Sequence, residues 1–94
     1  MSEYRIFETD EFAKRFGKLA AEQRGFLQRK LAVSVYPQLR EMPYCGPSIR
    51  KLAGYDPETR RCRIGRFRVF YTVREDARVV YILSVDDCTD AYRG

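Results

Sequence analysis

Ninety-four residues with a net charge of +5 and no histidine describe one small basic domain, spanning residues 1–94. A chain this short buries roughly 60–70% of its unfolded surface, enough for a single core. Its aromatic content of 14% excludes a disordered segment, and no apolar run approaches the roughly 20 residues that a membrane span needs.

The opening stretch MSEYRIFETDEF is acidic and alternating, unlike a signal or transit peptide. Cys45, Cys62 and Cys88 are odd in number and lack a Cys-x-x-Cys pair. That spacing predicts neither a disulfide framework nor a zinc site, so no metal and no cofactor is expected. A reducing cytoplasm is the expected compartment, with no membrane partner. The missing histidine removes the commonest general base, and any catalysis must run on other groups.

Taken in order, Glu3–Phe7 alternates and predicts a first strand. Thr9 or Asp10 is placed to cap a helix whose Phe12, Phe16, Leu19 and Ala20 recur at helical spacing, ending near Gln23–Gly25. A second helix begins at about Phe26, with Leu27, Leu31 and Val35 in one row. Pro37 is expected to stop it, because its ring clashes with the preceding turn. A short helical turn through Leu39 and Met42 follows, and the brief link between the helices predicts an antiparallel hairpin.

After Pro43, Gly46 and Pro47, four strands are predicted at Ile49–Tyr55, Arg60–Gly65, Phe67–Val73 and Val79–Val85, the last two joined by a turn at Glu75–Ala77. Short links make them antiparallel neighbours. The expected fold is α+β: an N-terminal strand and a helical hairpin packed on one face of a mainly antiparallel sheet of four to five strands. Alternation puts Arg61 and Arg63 opposite Cys62 and Ile64, and Arg68, Phe70 and Thr72 opposite Phe67, Val69, Tyr71 and Val73.

Six arginines fall between Arg60 and Arg74 with no acidic residue among them. They outnumber the net charge of +5, so the rest of the chain sums to −1. Like charges crowded on neighbouring strands repel, and they are tolerable when a polyanion or an acidic partner neutralises them. Arginine in particular suits forked recognition of phosphate or carboxylate. The bland alternative is a solvated sheet face.

The run IRKLAGYDPETRRCRIGRFRVFYTVREDARVVYILSVDDCTDAYR resembles the RelE/ParE superfamily of toxins from type II toxin–antitoxin modules. The resemblance rests on KLAGY, then RCRIGRFRVFY, then VVYILSV and a terminal DAY. It implies a toxin restrained by a cognate antitoxin. In the RelE branch the activity is metal-independent cleavage of mRNA on the ribosome; in the ParE branch it is poisoning of DNA gyrase. The endoribonuclease is the leading expectation, with a gyrase inhibitor or a catalytically impaired binding protein as the alternative, and a plain RNA-binding module as a third.

Carried over by position, the resemblance assigns catalysis to Arg61, Arg63, Arg68 and Tyr92, the arginines steadying phosphorane charge and the tyrosine serving as base. Arg60, Arg66 and Lys51 are candidate RNA contacts around them. The chain departs from the family pattern at Asp87 and Cys88, where a basic residue is common, and Asp86 adds a further negative charge. Phe70 and Tyr71 are read as core aromatics, and Tyr92 equally as a residue tucked against the core. Cys88, with no histidine to activate it, is read as an inert thiol.

Overall fold

A computed structural model describes residues 3–87. The first strand, β1 (Arg5–Glu8), leads into α1 (Asp10–Gly17). A second helical arm follows, made of α2 (Ala21–Lys30), a π-helical turn (Leu31–Val35) and α3 (Tyr36–Glu41). The remaining chain forms β2 (Ile49–Lys51), β3 (Thr59–Ile64), β4 (Phe67–Arg74) and β5 (Val79–Asp87). The five strands make one sheet in the order β1-β5-β4-β3-β2. Only β1 runs parallel to its neighbour, β5; the other pairs are antiparallel. The fold is therefore the expected α+β arrangement, with two helical arms on a mostly antiparallel sheet.

Burial follows the two-residue period. Cys62 and Ile64 of β3, Phe67, Val69 and Tyr71 of β4, and Val80, Ile82 and Val85 of β5 meet Phe12, Leu27, Leu31 and Leu39 from the helices in one core. The Tyr71 hydroxyl is sealed in that core and donates to the Pro43 carbonyl at 2.7 Å, so even its polar atom is satisfied. Thr9 joins the layers. Its hydroxyl accepts from Phe12 N at 3.2 Å, capping α1, and donates to the Ile82 carbonyl at 2.9 Å.

The helical boundaries differ from those the sequence predicts. The break falls at Lys18–Ala20 rather than at Gln23–Gly25. Gln23 Oε1 accepts from Ala20 N at 3.2 Å, and Arg24 donates to the Leu19 carbonyl at 2.6 Å, so both residues fasten the start of α2. Gly25 lies inside the helix, with no atom near the place its Cβ would take. Pro37 does not stop the arm. It sits in the first turn of α3, directly after the π turn. There Tyr36 N reaches back five residues to the Leu31 carbonyl, and this wider turn makes room for the ring that an α-helix would exclude.

Strand limits also shift. β2 ends at Lys51, well short of Tyr55, β1 starts at Arg5, and β5 runs on to Asp87. Across β4 and β5 the register slips at Phe70 and Tyr71, which face Ser84 and Ile82. Leu83 is the extra residue of a β-bulge, a device that bends a strand and re-aims its side chains. The turn from β3 to β4 is Gly65–Arg66, with Gly65 at φ +58°. Glycine adopts that angle at no steric cost, and the Phe26 ring lies 3.5 Å from where a Cβ would stand. Among the described residues no helix is long and apolar enough to cross a membrane.

The β4–β5 turn is tied down by Glu75. Its carboxylate accepts from Tyr4 at 2.8 Å and from Tyr44, while Arg78 donates to the Tyr4 hydroxyl at 3.0 Å. The hydrogen bonds from Tyr44 and Tyr4 hold the Glu75 carboxyl below the usual glutamate value.

Two outcomes are expected. Gly25→Ala raises unfolding free energy by about 0.5–1 kcal/mol in a denaturant titration, since alanine restricts the unfolded chain and meets nothing in the helix. Wild type gains stability from ionised Glu75 above pH 4.5, the ordinary glutamate value, and loses that gain as pH falls through the lower folded value. In Glu75→Gln this part of the acid limb is flat. Thermal melts between pH 7 and pH 3 measure it, and superimposable limbs for the two proteins contradict it.

Candidate arginine-lined face

One face of the sheet carries the helices. The other takes the alternate residues, and the strand register decides which of them meet. Arg63 of β3 lies directly across from Arg68 of β4, and Arg61 lies across from Phe70. On the far side of β3, Arg50 of β2 is paired with Arg61. Three adjoining strands thus bring Arg50, Arg61, Arg63 and Arg68 to one face. Beside them Ser48, Arg50, Arg61, Arg63 and Gly65 line a shallow cavity of about 460 Å³.

These four differ from the other cations of the same strands. Lys51 and Arg60 face the opposite side, across from one another on β2 and β3. Both meet Glu58, at 3.4 Å and 2.8 Å, and Arg60 also lies 4.8 Å over the Tyr44 ring. The Arg60 charge, with Lys51 adding to it, holds the Glu58 carboxyl below its ordinary value. Arg74 pairs with Asp76 at 3.1 Å. Arg66, in the turn, grips Asp87 with Nε at 3.1 Å from both carboxylate oxygens and Nη2 at 2.5 Å from one.

By contrast, none of Arg50, Arg61, Arg63 and Arg68 forms an ion pair among the described residues. The Nε of Arg68 is buried with no hydrogen-bond partner among the described residues. A buried donor left unmade costs about 1–3 kcal/mol. That is tolerable where an acceptor arrives from outside.

The structure therefore brings together Arg61, Arg63 and Arg68 of the predicted site and sets Arg60 and Lys51 apart on the helix side. Tyr92 and Cys88 lie outside the described residues. Arg50 is the addition. Alternation was the available signal: Ile49 points into the core layer, so Arg50 and not Lys51 shares a face with Arg61. Phe70 is also relocated. Tyr71 is fully buried, but Phe70 is only half-buried and does not pack against the core cluster.

The two aspartates at the end of β5 are both engaged. Asp86 lies across from Arg68 in register, yet its carboxylate turns to Arg15 of α1 at 3.1 Å. Arg15 in turn holds Glu11 at 2.6 Å, and that contact lowers the Glu11 carboxyl. Cys62 faces the core, where burial pushes its thiol up. No group of three or more metal-binding side chains occurs among the described residues.

Such a face has the chemistry to hold anions that present several oxygens at once, since guanidinium forks match phosphate and carboxylate geometry. Comparison with solved structures returns the same fold. The archaeal RelE–RelB complex from Pyrococcus horikoshii OT3 matches at 21% identity and TM-score 0.68, over 92% of this chain and 96% of that one. The isolated RelE toxin of Escherichia coli matches at 22% and 0.66, over 96% of each chain. The RelB–RelE complex from Methanococcus jannaschii matches at 17% and 0.64, over 93% and 95%. A search of curated proteins gives no significant match. The family model for the ParE toxin of the type II toxin–antitoxin system, parDE, matches residues 9–92. That span takes in both helical arms and the whole arginine face, and by it the chain belongs to the ParE toxin family, a type II toxin with the RelE/ParE fold.

Proposed function

We propose that this toxin is a metal-independent endoribonuclease of the RelE kind, cutting mRNA on the ribosome, with the scissile phosphodiester held on Arg61, Arg63 and Arg68 and flanked by Arg50. The observation that carries the reading is the row of guanidiniums across β2, β3 and β4 that form no ion pair among the described residues, with the Arg68 Nε lacking an acceptor among them. In the proposed reaction the ribose 2′-oxygen attacks phosphorus and gives its proton to Tyr92. The bond to the 5′-oxygen breaks, and that oxygen takes a proton from solvent. A 2′,3′-cyclic phosphate and a free 5′-hydroxyl remain.

Arginine stays protonated and serves poorly as a base. Its part is to steady the charge that builds on the equatorial oxygens. Tyr92, ordinarily near pKa 10, serves as base if the same cations favour its phenolate. The solved relatives that are complexes hold an antitoxin. A cognate antitoxin that lays carboxylates over the four arginines silences this toxin in the same reading. The expected compartment is the cytoplasm, where ribosomes and mRNA are.

A second reading has its own support. The matching family model is that of the ParE toxin, and Asp86 and Asp87 set two acidic residues at the end of β5 beside the arginines. In that reading the face binds DNA gyrase and no RNA is cut.

Expression of the chain alone is expected to create new mRNA ends within ribosome-bound reading frames. Arg63→Ala and Arg68→Ala each lower the single-turnover rate on programmed ribosomes roughly 100- to 1,000-fold, the usual loss for a transition-state donor. Tyr92→Phe removes cleavage and keeps ribosome binding. Growth arrest with intact mRNA, together with inhibition of purified gyrase supercoiling, decides for the second reading.

A further inference from the structure

The open face is not uniformly charged. Phe70 stands in the middle of it, between Arg61 on β3 and Ser84 on β5, with Arg68 two residues along the same strand. It is half-buried, makes no ring contact among the described residues, and does not join the core. Further along the face, Phe7 of β1 lies across from Tyr81 of β5. Their rings meet edge-on at 5.5 Å, and Phe7 is 55% exposed.

Tyr81 pairs with Thr72, two residues beyond Phe70. Strand spacing and rise put Phe70 and Tyr81 about 8 Å apart, the scale of one nucleotide step. Cations line one end of the face and aromatic rings continue it at the other. This is the combination that holds single-stranded nucleic acid, guanidiniums on the backbone and rings under the bases.

We propose that Phe70 is a base-stacking platform for single-stranded RNA, and that the Phe7–Tyr81 pair receives the neighbouring base. The inference rests on the RNA reading above and adds to it the residues that hold the bases. Charge complementarity selects the occupant: four arginines next to the rings, unpaired among the described residues, call for a polyanion with flat apolar faces. An acidic protein segment satisfies the arginines but leaves the aromatic row without a role.

The test uses the full chain and a 2′-O-methyl RNA decamer, which cannot be cut by 2′-oxygen attack, beside an abasic strand of the same length and charge. The protein has no tryptophan, so Phe70→Trp supplies a single indole reporter. Its emission is expected to be quenched by the base-bearing strand and unchanged by the abasic one, although both bind. Phe70→Leu weakens the base-bearing strand roughly 5- to 150-fold and leaves abasic binding within about twofold; Phe7→Ser has a smaller effect in the same direction. Melting curves confirm that the variants fold.

Equal quenching by both strands, or unchanged affinity in Phe70→Leu while wild type binds RNA, overturns the stacking proposal and leaves the nuclease reading standing. Failure of wild type to bind either strand overturns the stacking proposal, and the nuclease reading then stands or falls on the assay with programmed ribosomes.

Discussion

The cross-strand register of β3 and β4 is the constraint on which the site depends. Those strands are joined by two residues, and Gly65 holds the left-handed angle that keeps the hairpin tight. Six consecutive pairings follow from that turn, from Ile64 with Phe67 to Thr59 with Thr72. A slip of one residue exchanges the two faces of a strand. Here it would put Cys62 and Ile64 in solvent and drive Arg61 and Arg63 into the core, so burial of the apolar row locks the arginine row in place. The core and the functional face are two consequences of one alignment.

Electrostatic partition refines that alignment. The chain carries many cations, and along β2, β3 and β4 others find a carboxylate: Glu58 for Lys51 and Arg60 on the helix side, and Asp76 for Arg74 at the far end of β4. Exposed pairs of this kind contribute little to stability. Their consequence lies in where charge remains. With those cations neutralised locally, the field of the sheet is concentrated at Arg50, Arg61, Arg63 and Arg68, facing solvent together. A concentrated patch of one sign both steers and orders a polyanion, whereas the same charge spread over the surface would do neither.

Much of this was legible in the residues. Alternation in RCRIGRFRVFY places Arg61, Arg63 and Arg68 on one side, because β3 and β4 have short, strongly patterned strands and a glycine turn between them. Three things were hidden for physical reasons. Gly25 looked like a helix end, but a glycine is tolerated inside a helix that tertiary packing stabilises, and the true break is fixed by side-chain bonds from Gln23 and Arg24. Pro37 looked like a stop, and a π turn, which local pattern does not announce, absorbed it. Arg60 counted with its neighbours in a list of charges, yet the two-residue period carries it to the side of Tyr44 and Glu58.

The acidic end of β5 shows why composition alone misjudges this face. Asp87 stands where the resemblance implies a basic residue, Asp86 adds a further negative charge, and in a count along the chain the two offset two of the arginines. In space each has its own counter-ion from another element, Arg15 of α1 and Arg66 of the hairpin turn. Arg66 meets Asp87 with two nitrogens, and the Asp87 side chain is only 11% exposed, so that carboxylate presents little charge to the face. Asp86 is 41% exposed and directed away from Arg68 toward Arg15. Both carboxylates at the end of β5 are thus met by cations from other elements. In the proposed reading, the row on β2, β3 and β4 is what remains for an incoming phosphate, and the buried Arg68 Nε, without a partner among the described residues, is a donor for it.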